Sequence, residues 1–297
     1  MNYKFILIII IVLLIIYLKN KKINFSVSTF YELKGYNDLL KDQYTWNYTS
    51  GGIPKIIIKT GEFKRESMPD VIINILKNIQ NNNKDYQLYY FDNNECLEFM
   101  KDYSEDVLKC YNKIKPGAYK ADIFRICILE KYGGCYSDLG HETFFLFNDI
   151  LEDYNMVLVK DAPLYKDTGI FNAFMCTFKN NNFFKMILHD ICENIKNEYY
   201  GNHHLGVTGP ILVGNVFLKY FNIISFKHIK SGTYILNNIK IKMLRNERSI
   251  IHIILTTSKI KENNNELINT KFKNYYKIMY KNKKKYTDLW NERNIYN

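Results

Sequence analysis

The chain is poor in the residues that punctuate or staple a structure. Five prolines and fourteen glycines in 297 residues form no Gly/Pro-rich linker that would split the globular part, and no segment repeats another. That excludes a string of tethered modules and a solenoid. The six cysteines (Cys96, Cys110, Cys127, Cys135, Cys176 and Cys192) make no C-x-x-C pair. Several lie in apolar runs, where cysteine behaves as a small hydrophobe, so neither a zinc site nor an obligatory disulfide framework is expected. Also missing are a P-loop, a G-x-G-x-x-G turn and a Ser-His-Asp arrangement, which leaves nucleoside-triphosphatase, dinucleotide and hydrolase readings without support. The adjacent pair His203-His204 has no further histidine at helical spacing and is not read as a metal motif.

What is present is a globular composition. An apolar fraction of 47% can build a substantial core. The net charge of +11 suits a phosphate-bearing partner. It is explained equally well by a sequence saturated with Lys, Asn, Ile and Tyr, whose codons are A/T-rich.

The N-terminus reads MNYK, then the apolar run Phe5 to Leu18, then Lys19, Lys21 and Lys22. As a helix the run would extend about 21 Å, short of a hydrocarbon core of about 30 Å but within the signal-peptide range. Residues 1–22 therefore read as a single-pass membrane anchor or a cleaved signal. The anchor is favoured, because the only small-residue pair, Ser26 and Ser28, is separated from the run by the basic cluster. The lysines after the run favour a cytoplasmic orientation. Sequons at Asn24 and Asn47 would be usable only in a lumen. Residues 23–50 read as a polar stem, and residues 51–297 as the globular domain, ending in a basic tail.

From "GGIPKIIIKTGEF" (Gly51 to Phe63) a buried strand, a helix after Pro69 and the strand-like "YQLYYFD" form a β-α-β unit. A helix over 117–132, strands at 135–139 and from Met156, and a helix near 182–197 continue the alternation. This predicts an α/β fold with a mainly parallel central sheet, and a ligand site beyond the carboxyl ends of its strands.

The candidate chemistry lies in "AYKADIFRICILEKYGGCYSDLG". Asp122 and Arg125 share one helical face, with Ile123, Phe124, Cys127 and Ile128 expected toward the sheet and the charged pair toward solvent or a cleft. Alone, a D-x-x-R is a surface ion pair worth a few tenths of a kcal/mol. Gly133-Gly134 ends the helix and returns the chain, so that Asp138, at a strand end, can converge with the pair. Two carboxylates and a guanidinium can hold sugar hydroxyls and phosphate oxygens.

This string resembles the signature of glycosyltransferase family 32, the sugar-binding-region family with a D-x-D motif. "IPKIIIKT", "FNAFMCTFKNNNFF" and "VTGPILV" resemble further elements in order, and the closing "YTDLWNERNIY" is similar to the tail of some viral members. The resemblance implies a GT-A type nucleotide-sugar-binding fold and transfer of a hexose from a UDP- or GDP-sugar to a glycan or protein acceptor, commonly with retention. It implies Asp122, Arg125 and Asp138 as catalytic residues, with Tyr136, Ile57, Lys59, Thr60, Asn172, Thr208 and Gly209 binding the donor. It implies a membrane-anchored enzyme in a secretory lumen or viral membrane, and no nucleic-acid partner is expected.

Two departures from the pattern stand out. The second aspartate of the motif, the usual ligand for Mn²⁺ or Mg²⁺, is Gly140, and His252 is not followed by the family's Ser-Trp. Three alternatives stay open: metal held by Asp138 with His141 or Glu142, neutralisation of the diphosphate by cationic side chains, or a non-catalytic sugar-nucleotide-binding descendant. By alternation His141 would face away from Gly140 unless the strand has ended, which favours loop roles for both His141 and Glu142. The basic, aromatic run from Lys271 either closes over the phosphates or is a solvated tail.

Overall fold

The computed structural model describes residues 33–162, 169–247, 258–262, 264–272, 274–281 and 283–297. The Phe5–Leu18 run and His252 lie outside them. Among the described residues no helix is long and apolar enough to cross a membrane.

The chain from Lys34 to Asn297 is one compact unit. Its first element, α1 (Tyr36–Asp42), lies within the span expected to be a polar stem. Tyr36, Leu39 and Trp46 are buried in the main core, and the Trp46 indole N–H donates to the Tyr89 hydroxyl at 3.0 Å. Aromatic and leucine side chains spaced among polar neighbours are enough to tie this stretch down, so the folded unit begins well before Gly51.

The next elements are β1 (Ile56–Thr60), α2 (Asp70–Asn82), β2 (Gln87–Phe91), α3 (Asn93–Tyr103), α4 (Glu105–Lys113), α5 (Gly117–Tyr132) and β3 (Gly134–Ser137). They are followed by β4 (Glu142–Thr143), α6 (Phe147–Leu151), β5 (Met156–Lys160), β6 (Phe174–Thr177), α7 (Asn182–Lys196) and α8 (Pro210–Tyr220). The remainder comprises β7 (Gly232–Leu236), β8 (Ile239–Glu247), β9 (Lys259–Glu262), β10 (Asn265–Asn269), α9 (Tyr275–Met279) and α10 (Tyr286–Asn291).

The strands form one sheet in the order β2-β1-β3-β6-β5-β8-β9-β10-β4, with β7 also paired to β8. β1 is parallel to β2 and to β3, and β5 is parallel to β8. The pairs β3–β6, β5–β6 and β8–β9 are antiparallel. The sheet is therefore mixed rather than mainly parallel. Continuous apolar runs such as Ile56–Ile58 and Met156–Val159 report burial on both faces, which parallel and antiparallel central strands share here; they carry no information on direction.

Between α5 and β3, the Gly133 N–H donates to the Leu129 carbonyl at 2.9 Å, and Gly133 and Gly134 take φ of 73° and 89°. A Cβ on Gly134 would lie 2.3 Å from Ile56 Cγ1. The pair combines left-handed backbone with close approach to β1, a combination only glycine satisfies. It delivers β3 beside β1 in the register Ile57 to Cys135 and Ile58 to Tyr136, and so places Asp138 just past the strand's carboxyl end. All six cysteines are buried free thiols.

Candidate functional site

Helix α5 is buried almost all round. Asp122 and Arg125 are inside with Ile123, Phe124, Cys127 and Ile128, so of the two directions expected for the charged pair, solvent or a cleft, open solvent is not the one taken. Asp122 Oδ1 is 3.2 Å from Arg125 Nη1. Arg125 Nη2 donates to Asp138 Oδ1 at 3.0 Å, and the Tyr136 hydroxyl donates to the same oxygen at 2.9 Å. The guanidinium lies 4.6 Å from the centre of the Tyr136 ring, a cation–π contact strengthened by desolvation.

Two loops distant in sequence complete the shell of Asp122. Asn172 Nδ2 donates to its Oδ1 at 2.9 Å, and Thr208 Oγ1 donates to its Oδ2 at 2.6 Å. Gly209 caps the amino end of α8, and a Cβ there would be 3.7 Å from Asp122 Oδ2. Seven of the residues singled out from the sequence thus meet in one network: Asp122, Arg125, Tyr136, Asp138, Asn172, Thr208 and Gly209. The Asp138 side chain is 34% exposed, against 6% for Arg125, so Asp138 is the member that a ligand reaches first.

The strand β1 residues behave differently. Ile57 is a buried core side chain. The Thr60 hydroxyl donates to the Phe91 carbonyl at 2.9 Å, facing β2 rather than the cluster. Lys59 is fully buried beneath the β3 terminus, with Nζ donating to the Asp138 carbonyl at 2.9 Å and to the Ser137 carbonyl and hydroxyl at 3.4 and 3.3 Å. It braces the turn that carries Asp138.

Electrostatics follow from this packing. Burial pushes the Asp122 carboxyl up to about 6, against the opposing pull of Arg125 and its hydrogen bonds. For Arg125, burial disfavours the charge, but Asp138, Tyr136 and Asp122 outweigh it and hold the guanidinium firmly protonated. Burial lowers Lys59 to about 7 although Asp138 favours its charge. Burial also drives His141 down to about 3, keeping the imidazole neutral.

The strand has ended by Ser137, and the His141 N–H closes a turn onto the Asp138 carbonyl at 3.1 Å. His141 is buried, with Nδ1 3.0 Å from Ser137 Oγ and its ring stacked on Phe171 at 6.0 Å. Glu142 Oε2 accepts from Asn269 Nδ2 at 2.7 Å. One ring nitrogen of His141 is therefore engaged within the turn, and one oxygen of Glu142 across the β4–β10 pairing. Among the described residues, no three His, Cys, Asp or Glu side chains are grouped to hold a metal ion. At Gly140 itself, a Cβ would lie 2.4 Å from Tyr275 Cε2. The donor set here does not fit the divalent cation that a D-x-D motif implies.

Residues 69–157 match the family model described as a glycosyltransferase sugar-binding region containing a DXD motif. That segment is glycosyltransferase-like. It runs from just before α2 into β5 and contains Asp122, Arg125, Tyr136, Asp138 and Gly140. No curated protein matches the chain. Among solved structures, one similar chain is the PaToxG glycosyltransferase, 16% identical, with a TM-score of 0.46 over 63% of this chain and 75% of that one.

Two further contributors are Tyr275, against Gly140, and Ser137, between Lys59 and His141. Ser137 lies inside the G-G-x-Y-x-D string. Nothing in the spacing could have paired Tyr275 with Gly140.

Proposed function

We propose that the protein is a glycosyltransferase of the family-32 type that moves a hexose from a UDP- or GDP-sugar to a glycan or protein acceptor, with retention. The observation that carries this reading is the Asp122–Arg125–Asp138 cluster, buried except at Asp138, which is partly exposed at the carboxyl end of β3, and lying wholly within the segment that matches the sugar-binding-region family. Asp138 accepts hydrogen bonds from donor hydroxyls. Arg125, locked by two carboxylates and the Tyr136 ring, fixes the orientation of Asp138. Asp122 holds Arg125 and joins the loops of Asn172 and Thr208. In transfer the bond from the sugar C1 to the phosphate oxygen breaks, its electron pair leaving with the nucleoside diphosphate. A new bond forms from C1 to the acceptor oxygen, whose proton goes to solvent. Preorganised charge near the departing phosphate is what such a step requires.

The test is release of nucleoside diphosphate from UDP-glucose or GDP-mannose by the purified full chain, with water as acceptor. Asp138→Asn is expected to slow release at least about tenfold, a loss of about 1.4 kcal/mol in transition-state stabilisation. An unchanged rate removes Asp138 from the site. Gly140 and the Tyr275 ring over it favour a second reading, a sugar-nucleotide-binding protein without turnover. Donor binding with no release under any metal condition selects that one.

A further inference from the structure

The Asp138–His141 turn explains what Gly140 supplies. Its backbone is not among the left-handed glycines, so any residue could take its conformation. What it provides is space: a Cβ would stand 2.4 and 2.8 Å from two carbons of the Tyr275 ring, closer than a real Cβ approaches. Tyr275 is held in place from both sides. β10 pairs antiparallel with β4, placing Ile268 opposite Thr143 and Asn269 opposite Glu142, which carries the following residues back across the turn. Phe272 is then buried, its ring 5.4 Å from that of Tyr275, whose N–H donates to the Phe272 carbonyl at 3.0 Å. Lys271 travels with them, its ammonium 5.7 Å from the centre of the Tyr275 ring.

The carboxylates near the turn are partly committed. One oxygen of Asp138 takes both Arg125 and Tyr136, leaving its second oxygen to a ligand, and both oxygens of Asp122 are taken by Asn172, Arg125 and Thr208. A divalent ion on that second oxygen of Asp138 would share the carboxylate with the Arg125 guanidinium and find no second carboxylate at Gly140, where the Tyr275 ring stands.

We propose that this protein binds its nucleoside diphosphate donor without a divalent cation: the Tyr275 ring fills the place of the second carboxylate, and Lys271, carried against that ring, supplies positive charge for the diphosphate. The inference rests on the sugar-transfer reading above. It also makes Gly140 a partner of Tyr275 and not a lost ligand.

Calorimetric titration of the full chain with UDP, GDP, UDP-glucose and GDP-mannose, in excess EDTA and again with saturating Mn²⁺, tests both levels separately. The best probe is expected to bind in EDTA within about threefold of its affinity with Mn²⁺. Binding that tightens by tenfold or more with Mn²⁺ overturns the proposal and leaves the sugar-transfer reading standing. If no probe binds under either condition, the reading itself fails and the proposal with it. Lys271→Ala is expected to weaken binding about fivefold or more and Lys271→Arg to preserve it; equal affinity in Lys271→Ala overturns the charge assignment. Tyr275→Phe keeps the ring and controls for folding. The double variant Gly140→Asp, Tyr275→Ala is expected to gain Mn²⁺ binding, detectable by electron paramagnetic resonance without any donor. No gain in a folded double variant overturns the claim that the ring stands where the carboxylate would.

Discussion

At Asp122 and His141, burial acts in opposite senses on stability. The Asp122 carboxyl, raised from 3.8 to about 6, holds its proton more tightly in the folded chain, so its contribution is present in acid and is lost as pH rises through that interval. The His141 imidazole, lowered from 6.5 to about 3, is protonated only in the unfolded chain between those values, so the folded state is penalised as pH falls below 6.5. Over the shared interval the two slopes offset each other in the native sequence, and a variant separates them. His141→Asn should gain stability relative to the parent as pH falls, by about 2 kcal/mol between pH 6.5 and pH 5, read from urea midpoints at the two pH values. A difference that does not change with pH would mean that His141 is not held neutral by burial. The carboxylates and Arg125 could be read from D-x-x-R and the later aspartate. Their burial could not, because the donors that make it tolerable, Asn172 and Thr208, come from loops far along the chain.

The turn between α5 and β3 is where one element sets the geometry of another. Gly134 has φ of 89° and sits against Ile56, so Gly134→Ala combines a left-handed penalty with a clash on β1. It should cost at least about 2 kcal/mol, measured by urea denaturation, and should weaken donor binding because β3 presents Asp138. Gly117→Ala, at the amino end of the same helix, meets nothing within 4 Å and should leave both nearly unchanged. This turn was legible in sequence as a glycine pair after a helical pattern, as were β1, α2, β2 and β5. Strand direction was not. An apolar tetrapeptide records that both faces are covered, whereas the antiparallel β3–β6 contact depends on how the chain returns from β5. Gly140 shows the same limit: the missing aspartate is visible at once, but the ring that needs the space follows it by more than a hundred residues and arrives through the β4–β10 pairing.

On the scale of the whole molecule, the basic carboxyl-terminal run is neither a solvated tail nor an arm across the phosphates over its last residues. Ile295 is fully buried in the main core. The Lys115 N–H donates to the Ile295 carbonyl at 2.8 Å and the Asn297 N–H to the Lys113 carbonyl at 2.8 Å, which ties the chain end to the junction of α4 and α5. Trp290 donates to the Tyr200 carbonyl at 2.8 Å, and the Arg293 guanidinium lies 4.6 Å from the Tyr200 ring centre, engaged with an aromatic side chain. Lysines and asparagines around Ile295 mask it in any composition window; one buried isoleucine is too small a signal to outweigh them. If the end of the chain were solvated, Ile295→Ala would change stability by no more than about 0.5 kcal/mol. Packed as it is, the substitution should cost about 2–5 kcal/mol, seen as a lower urea midpoint with an unchanged slope. Because α5 begins at this junction and carries Asp122 and Arg125, donor affinity should fall as the fraction of folded protein falls. It should recover when the folded fraction is restored at lower denaturant, which separates a packing role for Ile295 from any direct contact with the donor.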